Sequence, residues 1–221
     1  MIGASGRRRR CGLRGLRAGA VSLLVLAACG GKHDAGPDAG PKPCPIGDLT
    51  APAELEIVHL DASDTVIQTQ PMADVPLLPP PQGGWIVLLG ARARNIDGCQ
   101  ITLTTALVDG CDQQIIQVDK RPTRLELGAD GWGTSAVTMF GNLPVCPQLT
   151  AKRDLHDVPY DVKVVVEDSG GQKASATLTI VPTCRAGDAL CMCQCDRDYV
   201  IGSSCNPPPT GGHGTCPTPG P

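Results

Sequence analysis

The sequence predicts an all-β fold, a β-sandwich over residues 48–183 followed by a small disulfide-rich module over residues 184–221. Three observations predict it. From Leu49 to Val181 short β-branched and apolar runs lie between Gly, Pro and Asp clusters, with little helical periodicity. Two of those runs flank Ser169-Gly-Gly-Gln172, a hairpin signal. Ten cysteines lie beyond residue 43, six of them between Cys184 and Cys216 with almost no apolar material among them.

The first 28 residues hold six arginines and no acid, then the apolar run Ala18–Leu26 and the small pair Ala27-Ala28. A basic start, a short apolar stretch and a small-residue end describe a secretory signal. The apolar run is too short for a permanent span, which takes about 20 residues. Leu26-Ala27-Ala28-Cys29 resembles the lipobox of bacterial lipoproteins. The resemblance implies cleavage between Ala28 and Cys29, a diacylglycerol on the Cys29 thiol, and a further acyl chain such as palmitate on the new amine. Several chains make a stable anchor where one would bind reversibly. Gly30, in place of an Asp, makes the outer membrane the expected destination.

Residues 29–47 read as the lipidated cysteine and a tether. Residues 30–43 repeat Asp-Ala-Gly-Pro twice and carry no large apolar side chain. Such a segment cannot offset its ordering entropy and is expected to be disordered. Its fourteen residues would span roughly 20 Å as a coil.

Without the signal, thirteen basic residues face 22 acidic ones, a net charge of −9. That field repels phosphate backbones and disfavours nucleic acid as a partner. Trp85, Trp132, Phe140, Tyr160 and Tyr199 are the only aromatics, so the core must be aliphatic.

In the sandwich, Glu54–Leu60 alternates, and Trp85–Asn95 begins continuously apolar and then alternates Ala with Arg. Gln100–Val108 is β-branched with period two; Ile115–Val118, Thr123–Leu127 and Ser135–Phe140 are further strand candidates. Residues 71–81 are Pro-rich and read as a long connection. In the final hairpin Val162, Val164 and Val166 share one face of the first arm. Ala174, Ala176, Leu178 and Ile180 share one face of the second. This text resembles the closing hairpin of bacterial immunoglobulin-like domains of the cadherin and polycystic-kidney-disease types. The resemblance implies an immunoglobulin-like sandwich with Tyr160 as its tyrosine corner.

An even set of cysteines in an exported chain reads as a disulfide framework: Cys44, Cys99, Cys111, Cys146, Cys184, Cys191, Cys193, Cys195, Cys205 and Cys216. Pairing within residues 184–216 is expected, leaving Cys44, Cys99, Cys111 and Cys146 to staple the sandwich, with Cys111–Cys146 preferred. Residues Cys193–Cys205 resemble the back half of an epidermal-growth-factor-type module. Cys191, Cys193 and Cys195 can also bind a soft metal, but oxidation outside the cytosol favours disulfides and no metal is expected.

Other chemistry is thin. Asp61, Asp64, Asp97, Asp109, Asp112, Asp130, Glu167 and Asp168 lie near turns and can offer oxygen to Ca²⁺, the one cofactor left open; capping turns is their ordinary role. No G-x-S-x-G, S-x-x-K, H-E-x-x-H or phosphate loop is present. Asp154, His156 and Asp157 cluster without a nearby nucleophile, while His33, His59 and His213 are scattered. Trp132 in Asp130-Gly-Trp-Gly133 is the candidate ligand contact; Trp85 reads as core. The expectation is a non-enzymatic, lipid-anchored binding or adhesion module for an envelope or surface macromolecule. A structural envelope lipoprotein and a hydrolase-like accessory around His156 are the alternatives.

Overall fold

A computed structural model of the protein describes residues 44–206, 212 and 214–216. The signal over 1–28, the cleavage site at Ala28 and Cys29, residues 29–43 of the tether, His33 and His213 lie outside the described residues. Residues 44–47, read as the end of the tether, belong to the fold instead, because Ile46 is buried in the core and Cys44 is bridged to Cys99.

Along the chain run β1 (Pro45–Ile46), β2 (Glu54–Leu60), β3 (Val66–Gln68), β4 (Ala73–Pro76) and β5 (Trp85–Arg94). Then come β6 (Ile96–Asp97), β7 (Ile101–Val108), β8 (Ile115–Thr123), β9 (Leu125–Leu127) and β10 (Gly133–Ser135). A 3-10 turn at Val137–Met139 leads to β11 (Gly141–Cys146), β12 (Tyr160–Asp168), β13 (Lys173–Thr183) and α1 (Ala189–Cys195). Two layers form the body. One has the order β3-β2-β5-β10-β9, with β11 also on β5; the other runs β4-β13-β12-β7-β8. All pairings in the second layer are antiparallel except β4 on β13, which is parallel.

Side-chain period explains the layering. Val162, Val164 and Val166 on β12 are completely buried, and they meet Val87, Leu89 and Ala91 of β5 in one core. A strand puts alternate residues on opposite faces, so this hydrophobic set fixes which way the hairpin turns. The hairpin closes as its sequence promised. Gly171 takes φ +84, and the Asp168 carboxylate accepts from Gln172 N at 2.9 Å. The continuous apolar start of β5 has a separate cause. Its outer face is also covered, by Phe140 lying over Gly90 with Val58 and Leu60 alongside. A Cβ at Gly90 would sit 2.5 Å from the Phe140 ring. Beyond Gly90 that cover ends, and Ala faces in while Arg faces out.

The sequence reading does not include the short strands β1, β3 and β6, and the Thr123–Leu127 candidate divides between the end of β8 and β9. Two further departures involve β4 and β11. Inside the Pro-rich stretch, β4 forms as an edge strand, where Pro76 need donate nothing; Leu77 N resumes the ladder to Thr183 O at 2.8 Å. The candidate Ser135–Phe140 is the end of β10 and a 3-10 turn, and the strand lies later, at Gly141–Cys146.

The ten cysteines all pair, but not as expected. Cys44–Cys99, Cys184–Cys191 and Cys193–Cys205 fit the predicted grouping. Cys111 joins Cys216 and Cys146 joins Cys195, so the preferred Cys111–Cys146 pair does not form and residues 184–216 do not close on themselves. The reason is burial. The cystine-rich segment has no core of its own, and Cys191 and Cys195 instead enter the core of the sandwich. Leu155 N reaches Cys195 O at 2.7 Å and Trp85 Nε1 donates to Gln194 Oε1 at 3.0 Å. The segment is a cap docked on the sandwich.

Candidate functional site

Antiparallel register assigns each residue to one of two ends. The entry end carries Cys44–Cys99, the β12–β13 turn and Trp132 beside the Arg94 end of β5. At the opposite end lie Trp85, Cys146, Tyr160, Thr183 and the cystine-rich cap.

A cleft of about 280 Å³ opens at the capped end. Pro76, Leu77, Leu78, Pro79, buried Trp85 and exposed Arg185 are among the residues that line it. Its shape follows from local sequence. Leu78 exchanges two 2.9 Å backbone bonds with Ile86, holding the Pro-rich segment across the start of β5. Cys184–Cys191 pins the start of the cap just past β13. Asp188, also on the cleft, is already engaged: its carboxylate accepts from Cys191 N at 3.0 Å as the N-cap of α1. Sequence reasoning missed this site. The available signal was Val75-Pro-Leu-Leu-Pro79, large apolar residues inside a stretch read as a connection.

Trp132 sits at the other end and is half-buried. The Arg92 and Arg94 guanidinium groups lie 4.6 and 4.7 Å from its ring centroid. Arg92 is paired with Glu56 and Asp130, and Arg94 with Glu54. The Arg92 hydrogen bond holds the Asp130 carboxyl below its usual range. The indole is thus engaged by the protein's own cations.

Beneath the cap lies a buried polar cluster. Arg153 makes a two-pronged pair with Asp109, at 2.7 and 3.2 Å, and its guanidinium lies 4.6 Å from the Tyr160 ring. Further Arg153 bonds reach Pro159 O at 3.0 Å and Gly214 O at 3.2 Å. Tyr160 donates its hydroxyl to Asp154 O at 3.0 Å, the tyrosine-corner geometry, and burial pushes its phenol well above the ordinary value. Asp154 accepts from Arg197 N at 3.1 Å. These groups hold the cap in place.

His156 bonds Asp157 at 3.1 Å, and no Ser or Cys nucleophile joins them in any contact among the described residues. His59 is buried beside Thr69, Nδ1 to Oγ1 3.0 Å. Most turn acids cap backbone amides. Asp61 holds Ser63 N and Thr65 N, Asp97 holds Cys44 N and Cys99 N, Asp109 holds Cys111 N, and Asp112 holds Gln114 N. Glu167 pairs with Lys173. Among the described residues the groups with metal-ligand spacing are Cys184, Cys191, Cys195 and Cys44, Asp97, Cys99, whose sulfurs are all in disulfides. Oxidised sulfur is not a thiolate ligand.

No known family model matches the chain, and a search of curated proteins finds no match.

Proposed function

We propose that this chain is a lipid-anchored cell-envelope protein with an immunoglobulin-like sandwich, working as a non-enzymatic binding module through the cleft at its capped end. The observation that carries the reading is the separation of cleft and chain entry. Cys44, the first described residue, is stapled at one end, and the cleft opens at the other. β12, nine residues long, spans about 30 Å between those ends. An acyl anchor on Cys29 would therefore join the module through its Cys44 end and leave the cleft at the other end open to envelope or surface partners, with the tether raising its local concentration. The parallel β4–β13 edge and the Tyr160 corner support the immunoglobulin-like reading.

Two measurements test it. Fatty-acid labelling of intact cells should mark the wild-type chain and not Cys29→Ser, and the variant should leave the membrane fraction in salt washes. A photo-crosslinking residue at Pro79 should yield a discrete envelope adduct, and one at Lys163, on the outer face of β12, should not. Equal adducts at both positions would remove the cleft from the reading.

A further inference from the structure

We propose that the cleft takes a short apolar group ending in a carboxylate, with Arg185 as the anion receptor. The proposal rests on the binding-module reading and names the chemistry of what is bound there.

Arg185 carries the argument. Seven arginines lie among the described residues, and Arg92, Arg94, Arg121, Arg124, Arg153 and Arg197 each have a carboxylate partner. Arg185 has none among those residues, although the chain is rich in acids. Asp188, three positions on and lining the same cleft, is held by its cap to α1 and makes no ion pair with it. A guanidinium presents a planar fork of donors that matches one carboxylate.

The rest of the cleft selects the body attached to that head. Pro76, Leu77, Leu78 and Pro79 offer aliphatic surface, and the Trp85 indole is fixed by its bond to Gln194. A volume of about 280 Å³ is at the low end for ligand sites, which begin near roughly 300 Å³. It admits a small molecule or the last residues of a chain. Asp188 in the lining adds one negative charge, which disfavours a doubly charged phosphate head. A free aliphatic acid and the C-terminus of an apolar peptide share the chemistry that fits.

The test uses the full chain with Cys29→Ser, free of acyl groups, and Trp132→Phe, which leaves Trp85 as the sole tryptophan. Octanoate should shift Trp85 emission saturably, with calorimetry giving the same affinity. Octanol and octylamine should bind at least about tenfold more weakly, the size of one charge-assisted contact. Arg185→Gln should weaken octanoate by about tenfold and leave octanol unchanged. Equal binding of octanol and octanoate, or an unaltered octanoate affinity in Arg185→Gln, overturns the proposal. N-acetyl-Ala-Leu-Leu and its C-terminal amide separate the sources. A free-acid peptide that outcompetes octanoate points to a chain end, and the reverse order points to an aliphatic acid. If no carboxylate binds while the Pro79 crosslink still forms, the ligand class is wrong and the binding module stands. Loss of both removes the module reading itself.

Discussion

Thr105 faces the core between Leu103 and Leu107, fully buried, and its hydroxyl has no hydrogen-bond partner. Valine keeps the same outline without that desolvated oxygen, so Thr105→Val should raise unfolding stability by about 1 kcal/mol in urea titrations. The adjacent Gly141 makes the site unforgiving: a Cβ there would collide with the Thr105 side chain, so Gly141→Ala should destabilise. His59 gives a residue-scale prediction of opposite character. Burial holds its pKa below the ordinary 6.5, with Asp61 partly opposing. Below pH 6.5 the unfolded chain therefore binds a proton that the folded chain refuses, and stability falls with pH down to the folded value. His59→Gln should flatten stability over that window. The separate loss from Asp61, Asp112 and Asp130, held below 3.8 by hydrogen bonds, should persist at lower pH. Alternation in Glu54–Leu60 showed a strand. It did not show that the histidine shares the inward side of Ile57, because the neighbouring Val58 and Leu60 are buried too.

Among the elements, the loop from Arg153 to Pro159 decides whether the cap stays docked. Asp109, at the end of β7, is 1 % exposed, and Arg153 is its counter-ion. Arg153→Met would strand a buried carboxylate and should cost about 3–5 kcal/mol, with Asp109→Asn in the same chain restoring a large part of it. Limited proteolysis reads the local effect, since Arg153 also holds Gly214 O. A cap cleaved no faster in Arg153→Met than in wild type would contradict this role. The Tyr160 hydroxyl bond to Asp154 O depends on one residue at the start of one strand. The Asp109–Arg153 pair was not legible in the sequence, for its partners are 44 positions apart and each belongs to an ordinary-looking polar turn. β4 and β11 were hidden by prolines that edge or bulged strands accommodate, Pro76 in one and Pro144 beside a register shift in the other.

For the whole molecule, the even cysteine count and its pairing into disulfides were readable, and connectivity was not, since it depends on where the cap docks. Bridges 49 and 105 residues apart, Cys146–Cys195 and Cys111–Cys216, tie that cap to the sandwich. Their environments predict an order of reduction. Thiol attack needs access to a sulfur. Cys44 and Cys99 are both exposed at the entry end, whereas Cys146 and Cys195 are 4 % and 0 % exposed. A mild water-soluble thiol under native conditions, followed by alkylation and peptide mapping, should therefore label Cys44 and Cys99 first and Cys146 and Cys195 last. The core around Val162 and Val164 should stay folded through the first step, because the entry staple joins only the β1–β6 ribbon. Opening Cys146–Cys195 should expose Trp85, whose indole bond runs to Gln194 beside that cysteine, so its fluorescence should change with the last step and not before. Simultaneous labelling of Cys44 and Cys146 would mean that the cap lifts from the folded sandwich. The cleft, which takes Arg185 from the cap and Leu78 from the sandwich, would then exist only part of the time.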